Sequence, residues 1–170
     1  MEPGEALSTA AQIAVALAGF AGVVVVFRTG SVHDWSRADK FRLRLLLSNS
    51  VAPLSFCMLG MLLLSVQPRP EWIWRACSGF ATASLFPFAL ITARHMRAFP
   101  PTEFQLSRGS KFLFYSMGVV GTAAYLLQVL NAVLLNVFWA FFTTIVVQLL
   151  AGMFQFVRLI LLPPEDESHD

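Results

Sequence analysis

Long apolar runs alternate with short charged connections along this chain, and the runs are all of one kind. Five stretches, 7–27, 45–66, 72–93, 112–130 and 137–162, carry few charges or none. Each approaches the roughly 20 apolar residues a helix needs to cross a hydrocarbon core about 30 Å thick. Between them lie RTGSVHDWSRADKFRLR, QPRPE, RHMRAFPPTEFQLSRGSK and NAVLLN. No run shows the every-second-residue alternation of a β-barrel strand, and a spanning segment that must satisfy its own backbone groups is a helix. The pattern predicts an all-α integral membrane protein with five transmembrane helices in one bundle over 1–162. An acidic tail, PPEDESHD (163–170), is too polar to pack and is expected to be disordered. The fourth and fifth runs are barely separated. Asn131 and Asn136 flank the middle of that stretch, and because asparagine suits tight turns, a hairpin is expected there.

Charge placement adds an orientation. Arg28, Arg37, Lys40, Arg42, Arg44, Arg94, Arg97, Arg108, Lys111 and Arg158 fall on one side of a five-span chain, and only Arg69 and Arg75 on the other. Basic residues favour the cytoplasmic side, so the N-terminus is expected outside and the C-terminus in the cytoplasm. Trp72, Trp74 and Trp139 mark the outer boundary and Trp35 the inner one. Composition agrees with the class. The chain of 170 residues is 56% hydrophobic and 13% charged, whereas soluble domains average about 45–50% apolar and about 25% charged residues. Mean hydropathy is +0.66. The opening MEPGEALS has two acids and no basic residue, unlike a signal peptide, so the first run is expected to be a retained anchor.

Ahead of the second run, SRAD (Ser36–Asp39) has capping-box spacing, and a short cytoplasmic helix is expected to start there and run into the span. Its Trp35, Ala38, Phe41 and Leu45 lie on one side. Arg37, Lys40, Arg42 and Arg44 supply positive charge suited to anionic lipid headgroups.

No Asp, Glu, Lys or His sits in the middle of any run, which argues against a proton-coupled pump or an acid–base enzyme at membrane depth. Uncharged polar groups do reach the interior. Ser55, Thr82, Thr122 and Gln148 lie near the centres of spans two to five. Asn49 and Gln155 lie nearer the inner face, and Tyr125 and Gln128 nearer the outer. Thr144, Gln148, Ala151, Gln155 and Arg158 follow three- and four-residue steps and form one stripe on span five. Such a stripe either glues helices together by hydrogen bonds or lines a pore or pocket. On span one, Ala10, Ala14, Ala18 and Gly22 recur at every fourth residue, a ridge that lets another helix approach closely. Pro53 and Pro87 are expected to kink spans two and three.

Specific chemistry is sparse. His33, His95 and His169 have no metal-ligand spacing. Cys57 and Cys77 lie in apolar runs as small core hydrophobes, and no nucleophile elbow, phosphate loop or dinucleotide glycine pattern occurs. No cofactor, metal or nucleic-acid partner is expected.

AQIAVALAGFAGVVVVF (Ala11–Phe27), WSRADKFRLRLLL (Trp35–Leu47) and QFVRLILL (Gln155–Leu162) together resemble a broad group of small multi-spanning bacterial membrane proteins of unknown function. The resemblance implies a bacterial inner-membrane location and no activity or site residues. The functional expectation is a non-enzymatic membrane protein, first a homo-oligomeric channel with an uncharged polar lining. The alternative is an embedded accessory or scaffold subunit that binds another protein.

Overall fold

The computed structural model describes residues 2–27, 35, 37–66, 72–97 and 108–161. The basic segments 28–34 and 98–107, Ser36 of the expected cap and the acidic tail lie outside the described residues. Five long helices occur, α1 (Pro3–Phe27), α2 (Arg37–Val66), α3 (Ile73–Arg97), α4 (Arg108–Leu130) and α5 (Phe138–Leu161), with a π-helical turn, Asn131–Leu135, continuing α4. No strand occurs among the described residues. All five helices are long and apolar enough to cross a membrane.

Helices α1, α2 and α4 begin four to eight residues ahead of their apolar runs, because a helix propagates its own hydrogen bonds past the point where hydrophobicity ends, whereas α3 and α5 begin one residue inside theirs. Pro3 opens α1 at the first helical position, where its missing N–H costs nothing. Glu5 reaches back to accept a hydrogen bond from the Glu2 backbone N–H at 3.4 Å. This is half of a capping box. At 30 residues, α2 is about 45 Å long, more than a hydrocarbon core needs. Both α2 and α3 run on unbroken through Pro53 and Pro87.

Packing divides the chain into two compact units. One takes in α1, α2 as far as Leu62, and α5 from Ile145; the other is Leu63–Thr144. In the first unit Ala21, Trp35, Leu43, Leu46 and Leu159 form a buried cluster, with Val24, Val25 and Phe156 against it. The apolar side of the segment ahead of span two therefore packs on the protein rather than on lipid. Trp35, expected at the inner membrane boundary, is a core residue, because an indole body gains as much from packed side chains as from lipid. Asp39 is buried beside it in sequence and pairs with Arg42 at 2.8 Å. Lys40 and Arg44 are exposed, and the Arg37 side chain lies outside the described residues.

The second unit is built on α3, α4, the π turn and the first residues of α5. Trp74 packs on Phe138 with ring centroids 4.8 Å apart, and on Phe141 at 6.0 Å. The hairpin expected between spans four and five is present within this unit. Its connection is shorter than NAVLLN, because the π turn absorbs residues 131–135 and leaves only Asn136 and Val137 outside the helices.

Candidate functional site

The hairpin turn is where the polar side chains converge. Asn136 adopts a left-handed conformation, φ 52° and ψ 48°, and its N–H closes the π turn onto the Asn131 carbonyl at 3.1 Å. Asparagine reaches this backbone region several-fold more often than most non-glycine residues. Its side-chain oxygen accepts a hydrogen bond from the Arg75 N–H at 2.8 Å. Arg75 lies in the first turn of α3, where N–H groups have no helical acceptor, so Asn136 caps α3 from 61 residues away.

Asn131 is fully buried and spends both ends of its amide. Its oxygen accepts from the Val137 N–H at 2.8 Å, and its nitrogen donates to the Val137 carbonyl at 3.1 Å and to Ser78 Oγ on α3 at 2.7 Å. One helical step earlier, Gln128 donates from Nε2 to the Ala140 carbonyl and to Thr144 Oγ1, both at 2.7 Å. Thr144 in turn donates to the Ala124 carbonyl at 3.2 Å. Side chains from three helices thus hold the second unit together at its hairpin turn. Bonds of this kind between membrane helices are worth about 0.6–2 kcal/mol each.

The remaining polar residues separate into two groups. Ser55 and Thr122 face outward and return their hydroxyls to their own helices, to the Val51 and Gly118 carbonyls at 2.9 and 2.8 Å. Tyr125 and Thr82 are half-buried, and Thr82 Oγ1 has no hydrogen-bond partner. In the first unit Asn49 gives its Nδ2 to the Leu45 carbonyl at 2.9 Å. Gln148 is 7% exposed and Gln155 8%, and the Oε1 atoms of both have no partner. On α5 the Thr144–Gln148–Gln155 stripe runs down the middle of the buried face, whose other members include Phe141, Ile145, Gly152 and Leu159. The stripe looks into the protein.

The ridge on α1 is divided. Ala10 and Ala14 are buried, Ala18 is half-buried and Gly22 is exposed, whereas Leu17 and Ala21 are buried in place of the last two. Four-residue steps turn 40° further than the 3.6-residue helical repeat, so by Gly22 the ridge has swung about 120° from Ala10.

Ser78, which joins the network, and Gln12, exposed on α1 inside an apolar stretch, were not legible as site residues, and Asn136 was legible only as a turn former. Counting charges alone hides an amide such as Gln12. For Asn131, the three-residue step from Gln128 was the available signal. Among the described residues no group of His, Cys, Asp and Glu is placed to hold a metal ion. No protein-family model, curated protein or solved structure matches the chain.

Proposed function

We propose that this chain is a non-enzymatic, multi-pass scaffold of a bacterial inner membrane that pairs with a second copy of itself through the outer face of α1. The observation that carries the reading is on that face. Thr9, Gln12, Ala16, Gly19, Val23 and Val26 are all exposed and follow steps of three and four residues. That is the seam along which two helices wind around each other. Small side chains at Ala16 and Gly19 admit a second backbone, and no neighbouring atom lies within 4 Å of a Cβ built at Gly19. The Gln12 amide carries both donors and acceptors, so two copies related by a twofold axis satisfy each other, whereas lipid satisfies neither.

The charge distribution supports an N-terminus outside and a cytoplasmic C-terminus, with exposed Lys40 and Arg44 available to anionic headgroups. A pore lined by span five has less behind it. Thr144, Gln148 and Gln155 lie on the buried face of α5, and Thr144 is committed to hydrogen bonds within its own unit.

Cross-linking in lipid vesicles tests the pairing. Ala16→Cys and Gly19→Cys should give disulfide-linked dimers on mild oxidation, and Leu126→Cys, exposed on α4, should not. Gln12→Leu should weaken dimerisation roughly three- to twenty-fold, the span expected for membrane hydrogen bonds of about 0.6–1.7 kcal/mol. A chain that stays monomeric at every protein-to-lipid ratio, with no cross-link at either position, removes this reading.

A further inference from the structure

Where α5 passes α2 in the first unit, the two backbones come close. Gly152 is buried, and a Cβ built there would lie 3.4 Å from the Asn49 carbonyl oxygen, 3.6 Å from Asn49 Cβ and 3.5 Å from Leu17 Cδ1. The regular helical donor for the Asn49 carbonyl is the N–H of residue 53. That residue is Pro53, which has none. Asn49 has given its Nδ2 to Leu45, which leaves its Oδ1 to accept. Gln148 and Gln155 lie four residues before and three residues after Gly152, on the turns that flank it along the same face. Both are more than nine-tenths buried, and the Oε1 of each is without a partner. An oxygen acceptor left unmade inside a bilayer is costly, because neither lipid nor bulk water replaces the lost bond.

The charges nearby select the occupant. Arg158, one turn beyond Gln155, is buried and lies over the Phe154 ring at 5.6 Å. Asp39, the buried acid of α2, is ten residues from Asn49 and paired with Arg42. A cation at the crossing would meet the neighbouring positive charge of Arg158, while Asp39 is already paired. An uncharged donor can meet the unpartnered Oε1 atoms of Gln148 and Gln155. We propose that the α2–α5 crossing is a binding site for a small uncharged N–H or O–H donor, water being the smallest, held by the oxygens of Asn49, Gln148 and Gln155.

Proton-detected solid-state NMR of the full chain in phosphatidylcholine–phosphatidylglycerol vesicles tests this. Magnetisation from water should reach the side-chain amides of Gln148 and Gln155 several-fold faster than the side chains of Phe56 and Ile145, which are fully buried. Adding urea or glycerol separates the sources. A saturable shift of the two amide resonances assigns the site to a small organic donor, and fast water transfer without a shift assigns it to water. Gly152→Val, which fills the crossing, should slow the transfer several-fold. Pro53→Ala returns a helical N–H to the Asn49 carbonyl and should slow it too. Because alanine suits a helix better than proline, Pro53→Ala carries the test if Gly152→Val does not fold. Amides as slow as Phe56 and Ile145 with no shift from either additive would overturn the proposal. So would transfer left unchanged by the substitutions.

Discussion

Two asparagines show how much one side chain can organise. Asn131 closes three hydrogen bonds and Asn136 caps a helix far away in sequence. At an exposed site such a contribution is diluted by solvent competition, but for the buried Asn131 the alternative is an unpaired group. Asn131→Leu keeps the volume and strips all three bonds, leaving the Val137 N–H and Ser78 hydroxyl without that partner. It should destabilise the protein by about 1–3 kcal/mol, read as a lower unfolding midpoint in detergent. At Asn136 two replacements separate backbone from side chain. Asn136→Gly keeps the left-handed conformation and loses the bond to the Arg75 N–H, a loss of about 1 kcal/mol. Asn136→Val loses the bond and also forces a β-branched residue to positive φ, so its cost should be larger by about 1–3 kcal/mol. Equal midpoints for the two variants would show that the left-handed turn carries no weight. Both asparagines could be read in the sequence as turn formers, because turn chemistry is local. Their partners could not. Nothing in the chain before folding ties Asn136 to Arg75 or Asn131 to Ser78, since those pairings depend on which faces of α3 and α4 meet.

At the scale of the helix, apolar length was the readable quantity and facing was not. A run of about 20 apolar residues states that a helix spans, and all five expected runs are helices. In a soluble helix the polar face then identifies the outside. In a membrane helix both faces are apolar, and small residues are the main clue. On α1 that clue pointed along a four-residue repeat, whereas the packed face follows the helical repeat through Ala6, Ala10, Ala14, Leu17 and Ala21. The difference can be measured. Ala14 is fully buried, so Ala14→Leu overfills the interior and should cost about 1–3 kcal/mol. Gly22 is exposed with nothing within 4 Å of its Cβ position, so Gly22→Leu should change stability by no more than about 0.5 kcal/mol. Comparing unfolding midpoints in dilute detergent, where self-association does not contribute, decides between the two faces. Equal losses at Ala14 and Gly22 would restore the four-residue ridge as the packed surface. The stripe on α5 was legible as a stripe for the same reason, since spacing is a property of one helix. That it faces inward became visible only with the buried face around it.

For the whole molecule, the strongest support for the proposed orientation is electrostatic. If the five helices are five crossings, ten basic residues fall on one side and two on the other, and the positive-inside rule then favours the basic side as the cytoplasmic one. That sorting of charge needs an odd number of spans. If α4 and α5 formed one re-entrant unit rather than two crossings, Arg158 would change sides and the C-terminus with it. Asn136 bears on this through geometry: a left-handed residue at the end of the π turn reverses the chain, and the pairs Ala124–Thr144 and Gln128–Ala140 run in opposite senses along α4 and α5. The two helices, of 23 and 24 residues, each have the length of a full crossing, about 35 Å. Cysteine accessibility in intact cells then gives a pattern with no free parameter. Glu2→Cys and Arg69→Cys should react with a membrane-impermeant maleimide from outside, whereas Lys40→Cys and His169→Cys should react only after permeabilisation. Cys57 and Cys77 are buried and should stay silent in both conditions, which leaves the introduced thiol as the signal. Labelling of Glu2→Cys and His169→Cys from the same side would require an even number of crossings and would undo the sorting of basic residues, even with every helix still in place.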